Sequence, residues 1–443
     1  MEYLAYPKYQ ETGIDWLGEI PEHWSFRKLR YYSKQVSTGT TPSGDSYFED
    51  ATEDWFTPSD FDDRRLELVN SNRKINISAL EQGAVKVFPA DSVLVIGIGA
   101  TLGKIGLSKA PFSCNQQINV IIPDDILDSQ FLAYSLQVKI EVMKIISNAT
   151  TIGIMNQNKT KLIDICAPAI DEQKVITAFL NYKTQQIDQL IEKKKALIER
   201  LEEQRIAVIT KAVTKGLDEN VKLIPSGVDW LGDVPEHWEI KRLKFVGSAI
   251  MGLIYDPKDI VNKGEGHLVL RASNIQEGKM VNKDNVYVDM PVPDKLVTRR
   301  DDILICSRNG SRALIGKNAL IEEEFKGSSF GAFTTVFRSD INDFLYFVFN
   351  SSLFSYQAGK YLTSTINQLT IDVINSFEVP IPDKAERKEI VIYLKEKLKK
   401  LDRSKQSTLN LIHKLKEYRS AIITSAVTGK IDVRDIDIPE DVA

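Results

Sequence analysis

Gly99-Ala-Thr-Leu-Gly103-Lys104 is the stretch of this chain closest to a phosphate-binding loop. The G-x-x-x-x-G-K-[ST] pattern puts its first glycine where Ile98 stands, and Ile105 replaces the hydroxyl residue that would hold magnesium. A glycine-rich turn between strands is the expected reading. His23 and His237 each sit in Pro-Glu-His-Trp with no second ligand at metal spacing, so packed or capping roles are expected. Four histidines leave little general-base chemistry. The [NDS]-P-P-[YF] signature of amino-methyltransferases is also missing, since Tyr255-Asp-Pro-Lys258 lacks the second proline and the aromatic. The chain is therefore expected to carry no catalytic or metal site and no cofactor of its own.

Its polar loops suit binding better. Trp55-Phe-Thr57-Pro-Ser59-Asp60 leads into Arg64, and Val269-Leu-Arg271-Ala-Ser273-Asn274 stands 214 positions later. Thr101 and Lys104 have a counterpart, one residue out of register, in the stretch carrying Arg308, Asn309, Arg312 and Lys317. Asn115, Gln116 and Gln117 follow in the first half, and Phe330-Gly-Ala-Phe-Thr334 in the second. Arg, Asn and Gln form bidentate contacts to base edges, while Lys and backbone N–H groups hold phosphates. Taken singly each string reads as a solvated loop; as two parallel sets they favour nucleic-acid binding.

The elements that must position these residues are written twice. Gly13-Ile-Asp-Trp-Leu-Gly-Glu-Ile-Pro-Glu-His-Trp24 recurs at 227–238 with only two Ile-to-Val changes and Asp233 for Glu19. The same 214-residue offset relates Pro168 to Pro382, Arg205 to Arg419, Ile209 to Ile423 and Ala212 to Ala426. Between these constant parts lie two inserts of nearly equal length, about 25–149 and 239–363, that share few residues. A repeated frame around two different inserts is expected, and repeats decide architecture before any other signal.

Each frame carries a long helix. After Pro168, Asp171 is expected to cap a helix with Glu172 in its first turn and no proline or glycine until Gly216. Ile187, Leu190, Leu197, Leu201 and Val208 make a heptad seam interrupted by Lys194 and Gln204. Residues 383–427 repeat it with Leu401, Leu411, Leu415, Tyr418 and Ile422, weakened by Ser404 and Thr408. Helices of about 40 residues, ~60 Å long at 1.5 Å per residue, are expected to pair as a coiled coil. The inserts read as mixed α/β globules. Strand-like runs are Leu94–Leu107, Ile118–Pro123, His267–Ser273, Asp302–Ser307 and Gly331–Arg338; helical runs are Ser129–Ser147 and Asn342–Gly359. The tryptophans Trp16, Trp24, Trp230 and Trp238 are expected to pack each insert onto the frame, with Pro21 and Pro235 fixing a turn.

Composition sets limits on these readings. With 443 residues, two to four compact units are expected. A net charge of −4 excludes a uniformly basic surface, so any nucleic-acid contact must come from local basic loops. The N-terminal stretch lacks the pattern of a secretion signal, and the longest apolar run, Val93–Ala100, falls far short of a membrane span. Cys114, Cys166 and Cys306 are scattered and fit buried thiols in a reducing cytoplasm.

The doubled G-[IV]-D-W-L-G-[ED]-[IV]-P-E-H-W, the W-F-T-P-S-D, T-L-G-K-I-G and S-F-G-A-F-T-T-V-F-R strings, and the proline-then-long-helix ending in A-V-T resemble the specificity subunit of type I restriction–modification systems, over essentially the whole chain. The resemblance implies an α/β fold: two pseudo-twofold-related target-recognition domains separated by two long antiparallel coiled-coil helices. It divides the chain into 1–150 and 215–364 as recognition domains and 151–214 and 365–443 as helical regions. It implies that each domain reads one half of a split, asymmetric DNA site with a fixed gap, the helices acting as a ruler. Two modification subunits, which bind S-adenosylmethionine and methylate adenine, would dock on it. Restriction subunits using ATP and magnesium would add nuclease activity. A system without nuclease is the narrower alternative; a fused methyltransferase and a coiled-coil adaptor without a DNA role are the rivals.

Overall fold

The computed structural model describes residues 3–62, 65–147, 153–228, 230–362 and 367–439. The chain divides into two compact units, Met1–Lys194 with Leu409–Ala443, and Lys195–Thr408, so the boundary passes through both long helices.

In the first unit the hairpin Tyr9–Glu11/Glu19–Pro21 is followed by Ser25–Lys28, which pairs antiparallel with Asp164–Ala167. The insert lies between these frame strands. It holds a four-stranded antiparallel sheet in the order Ser33–Thr38, Ile118–Pro123, Ser92–Ile96, Ile105–Ser108. A smaller sheet contains Lys74–Ile75, Glu53–Phe56 and Ser113–Cys114. The expected helical run is two helices, Ser129–Gln137 and Ile140–Ile146. All of Val93 to Ile96 is buried, as a strand covered on both faces requires.

The second unit repeats this plan. Leu223–Pro225 pairs with Asp233–Pro235, and Glu239–Arg242 pairs with Glu378–Ile381. Its main sheet runs Ser248–Met251, Thr334–Arg338, Ile303–Cys306, Asn318–Leu320. A second sheet is larger than its counterpart, with Ile260–Val261, Val286–Val288, His267–Leu270 and Ser329–Phe330. Helices Asn342–Phe349 and Ser352–Gly359 pack a cluster of phenylalanines, with Phe349 and Phe354 ring centroids 4.8 Å apart. Each such buried side chain contributes about 1.5–3 kcal/mol.

The long helices are Ile170–Lys215 and Lys384–Val427. Asp383 caps the second, its Oδ1 accepting from the N–H groups of Ala385 and Glu386 at 2.8 and 2.9 Å. Asp171 does not cap the first; the helix already includes Ile170. The seam also differs from the expected one. Leu190, Leu197, Leu411 and Tyr418 are exposed, while the adjacent Ile191 and Ile412 are buried and Ile198 is half-buried. The inward series is Leu180, Thr184, Ile187, Ile191, Lys194, Ile198, Leu201, Arg205, Val208, Ala212, and its exact 214-offset copy from Leu394 to Ala426. Leucine and isoleucine stand side by side at 190–191 and 197–198, so either satisfies a three- or four-residue step. The partner helix selects the face. In the second unit Arg205 Nη1 meets Asp402 at 2.6 Å and Lys405 meets Glu202 at 2.8 Å; rising numbers on one helix against falling ones on the other make the pair antiparallel. In the first unit Arg419 Nε meets Asp188 at 3.0 Å, the same pair at the 214 offset.

The repeated dozen joins insert to helix. His23 Nε2 and Trp24 Nε1 both reach the Glu172 carboxylate, at 2.9 and 3.1 Å, and the Tyr6 hydroxyl donates to it at 2.8 Å. In the second unit His237 and Trp238 reach Glu386 at 2.7 and 2.8 Å. Trp24 and Trp238 are buried, and each ends a turn closed by its own N–H donating to the carbonyl of Pro21 or Pro235. Trp16 departs from expectation: it is 48% exposed, with the buried Lys139 Nζ 4.6 Å from its ring centre. Trp230 stacks on Tyr356.

Candidate nucleic-acid interface

Each insert builds its polar loops on the same crossing. In the first, Trp55 and Phe56 lie parallel to Ser113 and Cys114, and Asn115 N–H donates to Phe56 O at 3.0 Å. In the second, Val269 and Leu270 lie parallel to Ser329 and Phe330, and Gly331 N–H donates to Leu270 O at 2.9 Å. A glycine makes room for each crossing: a Cβ on Gly39 would stand 2.2 Å from Cys114 O, and one on Gly252 2.3 Å from Gly331 O. The hydrogen bonds set the correspondence. Gly97 N–H meets Gln117 O and Ser307 N–H meets Phe333 O, so Gln117 and Phe333 occupy equivalent places. Gly103 closes on Ile96 O and Gly316 on Cys306 O, which aligns Lys104 with Lys317. The glycine-rich stretch at 99–104 is a turn between the strands Ser92–Ile96 and Ile105–Ser108.

After each first strand comes one 3-10 turn, Pro58–Asp60 or Ala272–Asn274. Asp60 closes the first turn by accepting from the Thr57 N–H at 2.6 Å and also takes the Asn72 N–H at 2.7 Å. Asn274 accepts from Arg271 N–H at 2.8 Å, and its amide donates to Lys283 O at 2.8 Å and Asn285 Oδ1 at 2.9 Å. Asn274 is fully buried, which corrects its expected contact role: it builds the loop from beneath. A short polar residue three positions into a tight turn serves the backbone before it serves a ligand.

In the first unit Thr57, Ser59, Thr101, Asn115 and Gln117 share a concavity of about 500 Å³ with Trp55 and Arg73. Asn115 is nearly buried and braces Gln117, donating to its Oε1 at 2.9 Å. Gln116 stands exposed beside it and accepts from the Thr41 hydroxyl. Lys104 is half-buried in its turn and does not line this concavity. Arg64 lies outside the described residues. In the second unit Arg271, Ser273, Arg308 and Asn309 share a concavity of about 660 Å³ with Ile254, Tyr255 and Phe333. Arg312 and Lys317 line a different one of about 760 Å³, with Arg205 and Lys405, and the Lys317 ammonium donates to Ile275 O at 2.9 Å. The structure thus gathers nine of the sixteen expected residues around two equivalent concavities.

Sequence reasoning missed Arg73, whose guanidinium lies 3.9 Å over the Phe48 ring, and the exposed pair Ile254 and Phe333. No local signal marks Arg73 or Ile254, and the strand-like run Gly331–Arg338 does not state that Phe333 ends in solvent. Burial pushes the Cys114 thiol up to about 12, so this residue beneath the first loop is inert packing. All three cysteines are buried. Among the described residues no cluster of His, Cys, Asp and Glu could hold a metal, and no helix is long and apolar enough to cross a membrane.

The profile described as "Type I restriction modification DNA specificity domain" matches residues 21–200 and again 235–414. The chain is 23% identical over 97% of its length to the MjaIX specificity subunit of Methanocaldococcus jannaschii, covering 98% of that protein. It is 33% identical over 45% of its length to the EcoKI specificity subunit of Escherichia coli, covering 44% of that protein. Among solved structures, a chain described under "complex assembly and conformational transition of the type I R-M system" matches with TM-score 0.72 and 16% identity, over 93% of this chain and 99% of that one. The HsdS subunit from Thermoanaerobacter tengcongensis matches with TM-score 0.51 and 16% identity, over 93% of this chain and 98% of that one. These two likenesses concern the fold. Doubled frame, doubled profile match and full-length relatives together place this chain in the type I restriction–modification DNA specificity family, as a non-catalytic specificity subunit.

Proposed function

We propose that the chain reads a bipartite, asymmetric DNA site, one half through each insert, for a partner adenine methyltransferase. The observation that carries this reading is the pair of equivalent concavities built on one backbone plan but lined by different side chains. A protein with two identical reading surfaces would match a palindrome; two unlike surfaces match two unlike half-sites. Thr57, Ser59, Thr101, Asn115, Gln116 and Gln117 would serve the first half-site, with Arg64 and Lys104 toward the backbone. Arg271, Ser273, Arg308 and Asn309 would serve the second, with Arg312 and Lys317 on its flank. Asp60 and Asn274 would hold the turns that present them. Residues 1–150 and 215–364 would be the recognition domains and 151–214 and 365–443 the helical regions.

The partners are two modification subunits holding S-adenosylmethionine, and restriction subunits holding ATP and magnesium, in the cytoplasm. A frame repeated within one chain suits one kind of partner bound twice. The helix pair would set the gap. Because it is antiparallel, a clean length change needs a heptad in both helices, one in 183–208 and its match in 397–422, which lengthens the span by ~10 Å, about three base pairs.

Mapping N6-methyladenine in cells expressing the chain with its modification subunit tests this. One two-part asymmetric motif is expected, and the paired heptad insertion should change its gap alone. No new motif, or a contiguous palindrome, overturns the reading.

A further inference from the structure

The second concavity differs from the first in being apolar where it is open. Ile254 is 74% exposed and Phe333 61% exposed, although both stand on well-built backbone: Leu253 N–H meets Phe330 O at 2.6 Å and Ser307 N–H meets Phe333 O at 3.1 Å. The places of these two side chains in the first unit are held by Thr41 and Gln117. Two large apolar groups exposed around one concavity mark a place where a ligand is bound.

Three further observations describe that ligand. The Arg308 guanidinium lies 5.2 Å from the Phe333 ring centre and makes no hydrogen bond or ion pair to another described residue, so its donor edge is held but unspent. Arg271 and Ser273 line the same concavity, and Arg271 Nε and Ser273 Oγ lie buried just behind its surface without a hydrogen-bond partner among the described residues. The ligand therefore offers acceptors beside an apolar group. In the DNA major groove, guanine offers O6 and N7 to a guanidinium fork, and only thymine offers a methyl.

We infer that the second insert reads a half-site in which a guanine, held by Arg308, neighbours a thymine whose C5-methyl packs on Phe333 and Ile254. The first insert, whose corresponding positions carry amides and hydroxyls, has no such methyl contact. This rests on the DNA-reading function proposed above and names the base chemistry of one of its two sites.

Deoxyuridine scanning tests it, because dT→dU removes the methyl and nothing else. The full chain bound to its modification subunit is titrated with duplexes of the mapped site, each carrying one dU. The half-site belonging to the second insert is the one whose sequence preference relaxes in Arg308→Ala. At one thymine there, dU should weaken binding roughly three- to tenfold, and that penalty should vanish in Phe333→Ala or Ile254→Ala. Both residues are solvent-exposed, so these variants keep the fold. Equal affinity for dT and dU throughout that half-site, with sequence-specific binding intact, overturns the inference alone. So does a dU penalty that survives both alanine variants. Binding without any sequence preference instead overturns the DNA-reading function itself.

Discussion

The two inserts share a skeleton and differ in the side chains set on it. The crossings beneath Asn115 and Gly331 use the same hydrogen bonds, the same two-strand parallel pair and the same crowded glycine. Above them, one unit shows Thr41, Gln116 and Gln117, the other Ile254, Ala332 and Phe333. Backbone geometry satisfied by backbone partners does not depend on which side chain follows, so the outward residues are free to change without loss of fold. A recognition protein needs that separation of framework from reading surface.

Loss of a reading residue should break the comparison most strongly. Arg308→Ala should cost about 1–3 kcal/mol of base discrimination, tenfold or more, in one half-site only. Gln117→Ala should relax the other half-site. Competition binding with single-base variants of both half-sites checks this, and a change in the wrong half would contradict the assignment.

The frame clamps differ by one bond. Glu172 serves Tyr6, His23 and Trp24, whereas Glu386 serves His237 and Trp238. Glu172→Ala should lower stability by about 2–4 kcal/mol and Glu386→Ala by about 1–2, since each leaves partly buried donors unpaired. Denaturant melts of the two variants rank them; equal losses would mean the Tyr6 hydroxyl adds nothing.

Buried Lys139 stands 214 positions before the buried Leu353. Burial lowers the pKa of Lys139 below its ordinary value. The folded state then holds fewer protons than the unfolded one between the lowered pKa and the ordinary value near 10.5, and stability rises with pH through that window. Lys139→Leu should stabilise the protein at neutral pH by about 1–2 kcal/mol and remove that alkaline gain. Thermal melts from pH 7 to 10 measure both; an unchanged melting temperature would show that the Trp16 ring already offsets the burial.

The smallest difference concerns the interhelical pairs. Arg419 and Asp188 are 13% and 31% exposed, Arg205 and Asp402 23% and 48%. Arg419→Ala should therefore cost about 1–2 kcal/mol and Arg205→Ala about 0.5–1. Double-mutant cycles with the aspartates give the pair energies directly, and a larger Arg205 coupling would reverse the ranking.

Sequence by itself determined the doubling, both long helices to within a residue or two, the principal strands and the polar loops that share a concavity in each unit. These are legible because repeats, periodicity and proline–glycine punctuation are local properties of the chain. Tertiary structure decided the rest. It chose Ile191 and Ile198 over Leu190 and Leu197, because only a second helix with its ion pairs distinguishes adjacent faces. It turned Asn274 inward and Phe333 outward, a choice set by which backbone groups each loop must satisfy. It also gave Lys215 and Lys430, which the sequence places 215 positions apart in the swapped pairs Lys-Gly and Gly-Lys, the same partner: the carbonyl of Asp233 and of Glu19. A long flexible side chain can reach one acceptor from either of two neighbouring positions, and only the folded chain shows that it does.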